Sequence, residues 1–182
     1  EAVKKGCRSI SYTYTEPTVN FEFIYDCSKL AKEKNIKNVW ITNGFMTKEA
    51  IEKISPYMDA ANVDLKAFKE ETYGSVMGGR LENVLDSIKM LRKKSVWIEI
   101  TTLVVPDMND SDEELKDIAS FIKNVDPWIP WHVSAYHADY KYATRKDRTP
   151  DKSIEKAARI GHDSGLNYVY SGNIWGSKGE HT

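Results

Sequence analysis

The feature that most constrains the fold is a regular alternation of short strand-like segments with amphipathic helical segments. Strands are predicted over residues 9–14, 38–42, 61–66, 96–105, 131–136 and 167–170. Helices are predicted between them, over residues 18–34, from about 47, then 69–77, 81–94, 111–123 and 150–163. Ser111 and Glu114 match the capping-box pattern of a helix N-terminus. This order favours parallel strands joined by right-handed crossovers, and therefore an α/β fold.

Polar side chains along the strands favour one of two possible α/β architectures. Strands of an open, doubly wound sheet are covered by helices on both faces and are apolar throughout. Here nearly every strand carries one face that we read as polar, with Ser11, Thr13, Trp40, Thr42, Asn62, Asp64, Lys66, Trp97, Glu99, Thr101, His132, Ser134 and Tyr136. A shared interior lined with ligand-binding groups explains that repetition. We therefore predict a partial (β/α) barrel rather than an open sheet.

Length and charge exclude several classes of function. The 182 residues fit a single domain, and 26 Lys and Arg against 27 Asp and Glu leave no bulk charge for nucleic acid or an anionic membrane. Cys7 and Cys27 are too few for a disulfide framework and favour a cytoplasmic protein. Residues 1–5 resemble the tail of a helix, and residues 179–182 follow a glycine-rich turn. We expect the natural protein to extend beyond this chain in both directions.

The candidate site follows from the predicted barrel, in which functional residues lie at the carboxyl ends of the strands. That rule selects five segments: Thr15-Glu16-Pro17, Thr42-Asn43-Gly44, Asp64-Leu65-Lys66, Val104-Val105-Pro106 and Tyr136-His137.

Each selected segment has a structural and a functional interpretation. Glu16 could present its carboxylate and neighbouring carbonyls to a cationic group, or it could be a turn residue before a helix. Thr42-Asn43-Gly44 also fits an ordinary turn. Asp64 and Lys66 could form a structural ion pair, Lys66 could form a Schiff base, or the pair could bind the two charges of a zwitterion. His137, at a strand end, is a candidate ligand contact.

Taken in order, these five segments resemble motifs of the radical S-adenosylmethionine (SAM) superfamily. The most similar group is that of the pyruvate formate-lyase activating enzymes, and within it the branch called the AmmeMemoRadiSam-system radical SAM enzyme. The resemblance extends from Gly6 to Glu180. It implies a partial (β/α)6 TIM-like barrel that binds SAM against a [4Fe–4S] cluster. Reductive cleavage of SAM there yields a 5′-deoxyadenosyl radical that abstracts a hydrogen atom.

The resemblance also implies roles for individual residues. Thr15, Glu16 and Pro17 stand where the family binds the methionine amine of SAM, and Thr42 and Asn43 match the end of its second motif strand. Lys66 matches a lysine that holds the SAM carboxylate, and Asp64 an aspartate beside the amine. His137 matches a histidine near the nucleoside. Implied partners are an electron donor such as flavodoxin or ferredoxin, and a protein substrate or Memo-like companion protein.

Three departures from the family pattern are visible. The Cys-x3-Cys-x2-Cys loop that holds the cluster is absent, so this chain resembles the barrel without its first strand and cluster loop, and we expect it to be inactive alone. Tyr14 and Thr15 replace two glycines, and Ile41 replaces a frequent aspartate. Two other functions therefore stay open: a barrel lyase or aldolase that uses Lys66 as a Schiff base, and a cluster-less binding module.

Overall fold

The computed structural model describes residues 1–138 and 148–174. Its strands are β1 (Ser9–Tyr12), β2 (Lys37–Thr42), β3 (Ala60–Asp64), β4 (Trp97–Val104), β5 (Trp131–Ala135) and β6 (Val169–Gly172). They form a six-stranded sheet in chain order, and the pairs β1–β2, β2–β3, β4–β5 and β5–β6 are parallel. The predicted parallel α/β architecture is confirmed.

Helices connect the strands as the alternation of patterns predicts. They are α1 (Phe21–Glu33) after a 3-10 turn (Pro17–Asn20), α2 (Lys48–Ile54), α3 (Glu70–Thr72) with a π-helical turn (Tyr73–Met77), α4 (Leu81–Lys93), α5 (Asp112–Val125) and α6 (Asp151–Asp163). Two of these helices, α2 and α5, have a side-chain hydroxyl as their N-cap. Thr47 Oγ1 accepts the Ala50 N–H of α2 at 3.2 Å, and Ser111 Oγ accepts the Glu114 N–H of α5 at 3.3 Å.

The chain divides into two compact units. The first unit contains Glu1–Asp64 and Glu82–Glu99, and the second contains Leu65–Leu81 and Ile100–Thr182. Within the described residues, every helix is too short or too polar to cross a membrane.

In the first unit, helix packing sets which face of each strand is buried. Trp40 of β2 is fully buried and meets the Phe21 ring of α1 edge-on, with 6.2 Å between ring centroids. Thr42 lies on the same side and is 2% exposed, whereas Ile41, on the opposite face, is 36% exposed. The prediction that Trp40 and Thr42 belong to a polar interior face is therefore wrong. Both side chains lie on the helix-covered face because α1 covers that side of β2.

In the second unit, the alternation predicted for β5 is observed. Trp131 and Val133 are fully buried, whereas His132 and Ser134 keep part of their surface exposed. On the less buried face the His132 ring stacks on the Tyr170 ring of β6, with 5.3 Å between centroids. This unit therefore has a packed apolar face and a face of polar and aromatic side chains.

Candidate site at the carboxyl ends of the strands

All the predicted site residues lie within the described part of the chain, at or just beyond the carboxyl end of a strand. Thr15, Glu16 and Pro17 follow β1, and Thr42 is the last residue of β2, with Asn43 next. Asp64 ends β3, and Lys66 comes two residues later. His137 comes two residues after the end of β5. Four of the six strands, β1, β2, β3 and β5, are therefore followed at their carboxyl ends by predicted residues, and parallel α/β folds carry their sites at that end of their strands.

The carboxylate of Glu16 joins the segments that follow β1 and β2. Its Oε1 accepts hydrogen bonds from the Thr18 N–H at 3.3 Å, the Thr18 hydroxyl at 3.0 Å and the Thr42 hydroxyl at 2.7 Å. Its Oε2 accepts the Asn43 backbone N–H at 2.7 Å. Glu16 has an extended backbone, as its position before Pro17 predicts, and caps the 3-10 turn that follows. The structure thus gives this side chain four internal donors.

The turn after β2 requires glycine at position 44. The Gly44 N–H donates to Thr42 Oγ1 at 3.1 Å, and the Phe45 N–H donates to Asn43 Oδ1 at 2.8 Å. Gly44 has a φ of +72°, which favours glycine, and a Cβ there would lie 2.8 Å from Val63 Cγ1. Thr42 and Asn43 are therefore held in place by turn geometry as well as by Glu16.

Asp64 and Lys66 are both half-buried, so part of each side chain stays accessible. Asp64 is the last residue of the first unit, and Lys66 belongs to the second. The Lys66 backbone N–H donates to the Tyr73 hydroxyl at 3.1 Å, which gives a fixed starting point to its long side chain. The ammonium of Lys66 is a group that can bind an anion such as a carboxylate.

His137 directly follows Tyr136, whose backbone is bonded to Thr149 at the far end of the next loop. The Tyr136 N–H donates to Thr149 Oγ1 at 3.0 Å, and the Thr149 N–H donates back to the Tyr136 carbonyl at 3.0 Å. The Thr149 hydroxyl also donates to the Val104 carbonyl at 2.6 Å. His137 itself is exposed. Most of the loop that follows it, residues 139–147 with Arg145, lies outside the described residues.

The structure brings three of the predicted residues into direct contact, namely Glu16, Thr42 and Asn43. Sequence reasoning missed Thr18, which binds Glu16 through both its N–H and its hydroxyl. The order Glu-Pro-Thr carried a signal for it, because an acceptor before a helical turn finds its donor two residues later. Thr149 was also missed, and no local pattern points to it.

The described residues do not form a metal or cluster site. No group of three His, Cys, Asp or Glu side chains among them is arranged to hold a metal ion. The two cysteines of the chain are unpaired thiols, with Cys7 exposed and Cys27 half-buried on α1. A [4Fe–4S] cluster takes four ligands, most often cysteine thiolates, and these residues do not supply them.

Comparison with known proteins identifies the family. The profile described as "Radical SAM superfamily" matches residues 1–122. An uncharacterized protein of Methanocaldococcus jannaschii, MJ0808, is 41% identical over all of this chain and 54% of its own length. The pyruvate formate-lyase 1-activating enzyme of Escherichia coli K12 is 26% identical over 67% of this chain and 52% of its own length. The chain thus spans about half the length of these relatives.

Solved structures share the fold. A domain of a pyruvate-formate lyase-activating enzyme from Bacteroides vulgatus matches with a TM-score of 0.78 and 18% identity, over 90% of this chain and 98% of that domain. Streptococcus suis SuiB bound to S-adenosylmethionine matches with a TM-score of 0.75 and 18% identity, over 93% of this chain and 40% of SuiB. These matches confirm the predicted partial TIM-like barrel. Since the family profile covers most of the sequence, the chain belongs to the radical SAM superfamily.

Proposed function

We propose that this chain is the SAM-binding core, as a single domain fragment, of a radical SAM enzyme related to the pyruvate formate-lyase activating enzymes. The observation that carries the proposal is the location of the candidate residues. Those that the resemblance assigns to SAM lie at or just beyond the carboxyl ends of β1, β2, β3 and β5. Family membership and the similarity to activating enzymes support the same reading.

SAM offers a carboxylate, an amine, a sulfonium and an adenosine, and this chain has a matching group for most of them. Lys66 supplies a cation for the carboxylate, and Asp64 an anion near the amine. His137, exposed after β5, is available to the nucleoside. Lysine and carboxylate groups that bind opposite ends of a zwitterion give charge-assisted hydrogen bonds, which are stronger than neutral ones.

Glu16 has a positioning role in this proposal rather than a direct one. Its two oxygens already accept four hydrogen bonds from Thr18, Thr42 and Asn43. The carboxylate therefore shapes the backbone around Thr15 and Pro17, and the carbonyls of that segment are the groups offered to the amine of SAM. Glu16 would therefore affect ligand binding indirectly, because it sets the backbone conformation of the loop that contacts the ligand.

The activity of the whole protein forms the second part of the proposal. We infer that it cleaves SAM reductively to a 5′-deoxyadenosyl radical, in the cytoplasm, with an external electron donor such as flavodoxin or ferredoxin. Several relatives are named as activating enzymes of other enzymes, which favours a protein substrate. No group of three possible metal ligands is assembled among the described residues, so the residues that hold a cluster in this proposal lie outside them.

Equilibrium dialysis against SAM and 5′-methylthioadenosine tests the proposal. The second compound keeps the nucleoside and the sulfur but lacks the amine and carboxylate. Because charged hydrogen bonds are worth about 1.5–3 kcal/mol each, we expect SAM to bind at least about tenfold more tightly. Equal binding of the two compounds, or no binding of SAM, would contradict the assigned roles of Asp64 and Lys66.

A further inference from the structure

The segment that carries Lys66 is held by side chains after it leaves the strand. Leu65 is the first residue after β3. Its N–H donates to the Thr101 carbonyl at 3.0 Å, and its carbonyl accepts the Thr102 hydroxyl at 2.9 Å. Beyond Leu65 the partners are side chains from elsewhere in the second unit. Backbone groups that leave a ladder in the protein interior need such substitutes.

Asn109 is one of these partners, and its amide is fully used. Its Nδ2 donates to the Lys66 carbonyl at 2.7 Å and to the Leu103 carbonyl at 2.8 Å, while its Oδ1 accepts the Val105 N–H at 2.7 Å. The side chain is fully buried. Since a backbone N–H can only donate, the Val105 contact fixes which end of the amide faces Lys66. An asparagine is therefore the side chain that meets all three demands.

Tyr73 and Glu114 hold the same segment from two other directions. The Tyr73 hydroxyl accepts the Lys66 N–H at 3.1 Å, and Glu114 Oε1 accepts the Phe68 N–H at 2.8 Å. Glu114 is 1% exposed, and its other oxygen lies 3.3 Å from Lys69 Nζ. A buried carboxylate is costly unless it is paired, and Lys69 supplies the opposite charge here.

We propose that Asn109 is a positioning residue that sets where Lys66 presents its ammonium group to the carboxylate of SAM. The inference rests on the proposed function for the identity of the ligand, and on the hydrogen bonds above for the geometry. Lysine has a long flexible side chain, so an accurate contact needs an accurately placed backbone. Asn109 and Tyr73 bond the two backbone polar groups of Lys66 itself.

A matched pair of substitutions separates positioning from general stability. Asn109→Asp keeps the size of the side chain but replaces Nδ2, which donates both hydrogen bonds, with an oxygen that faces the Lys66 and Leu103 carbonyls. Asn38, in the first unit, is the matched control residue for Asn109. Asn38 is also fully buried, donates from Nδ2 to the Ser28 and Tyr57 carbonyls at 2.9 Å each, and accepts the Tyr12 hydroxyl at 3.0 Å.

We expect Asn109→Asp and Asn38→Asp to destabilise the protein to a similar degree, because each replaces one buried nitrogen that donates two hydrogen bonds with an acceptor oxygen. Only Asn109→Asp should weaken SAM binding, by about tenfold, since it alone disturbs the segment that carries Lys66. Of these two variants, only Asn109→Asp should speed amide hydrogen exchange of the peptide containing residues 65–68 in ligand-free protein. Tyr73→Phe, which removes one hydroxyl, is the milder second variant and should change both readouts in the same direction.

Two results would overturn the proposal. The first is equal SAM affinity in the Asn109 and Asn38 variants and in Tyr73→Phe. The second is unchanged hydrogen exchange in residues 65–68 when Asn109 or Tyr73 is altered. If wild-type protein does not bind SAM, the proposed function fails, whereas the exchange measurement still decides whether Asn109 holds Lys66 in place.

Discussion

Replacing the Glu16 carboxylate with the amide of glutamine should destabilise the protein measurably, although the shape of the side chain hardly changes. The carboxylate accepts hydrogen bonds from two backbone N–H groups and two hydroxyls, on Thr18, Thr42 and Asn43. An amide has one oxygen, which can keep the Asn43 N–H. Its NH2 can donate to the hydroxyls if they rotate, but it cannot accept the Thr18 N–H.

The expected loss of unfolding free energy follows from the hydrogen bonds that Glu16→Gln weakens or removes. Hydrogen bonds to a charged acceptor contribute about 1.5–3 kcal/mol and neutral ones about 1 kcal/mol. Glu16→Gln converts the short Asn43 bond from charged to neutral and removes the weaker Thr18 N–H bond at 3.3 Å. We therefore expect a loss of about 2 kcal/mol, which at a urea m-value of about 2 kcal/mol/M lowers the midpoint by about 1 M.

Urea unfolding followed by circular dichroism measures this loss. Glu22→Gln is the control, because Glu22 is an exposed residue of α1, and such changes stay within about 0.5 kcal/mol. If Glu16→Gln and Glu22→Gln shift the midpoint equally, the joining role assigned to the Glu16 carboxylate is refuted.

Two other perturbations follow from the described contacts. Gly44→Ala should destabilise by about 1–3 kcal/mol, because alanine is strained at a φ of +72° and its Cβ would meet Val63, and an unchanged urea midpoint would contradict this. The hydrogen bond and charge of Lys156 lower the pKa of Asp112 below its ordinary value of 3.8. The ionised carboxylate therefore stabilises the folded protein at pH values above 3.8, and this stabilisation is lost as the pH falls through the lowered pKa. The midpoint difference between wild type and Asp112→Asn should therefore shrink between pH 6 and pH 2, and a difference independent of pH would refute the pairing.

Local patterns in the sequence predicted much of the fold. The strand and helix order, the Ser111 cap of α5 and the carboxyl-end location of the candidate residues follow from periodicity, capping chemistry and the rule for parallel folds. These features depend on residues close together in the chain, or on general topology.

The features that could not be predicted depend on contacts between distant residues. Trp40 and Thr42 were assigned to the wrong face of β2, because Thr42 is polar yet buried, with its hydroxyl bonded to Glu16. Asn38, on the same face, is also buried and donates to the Ser28 and Tyr57 carbonyls. Glu114 fitted a capping box, whose carboxylate should bond the cap residue. It binds instead the N–H of Phe68, 46 residues away. A short pattern contains no information on such partners.

The central claim is that Lys66 recognises the carboxylate of SAM. It can be tested with SAM and decarboxylated SAM on wild type, Lys66→Met and Lys37→Met. Lys37 is the control, because it is a strand lysine paired with Asp59 at 2.7 Å, at the amino end of β2.

The measurement is the ratio of the two dissociation constants for each protein. Wild type and Lys37→Met should prefer SAM by about 10- to 100-fold, as one charged hydrogen bond predicts, and Lys66→Met should lose that preference. A Lys66→Met protein that still prefers SAM by the wild-type ratio would contradict the account.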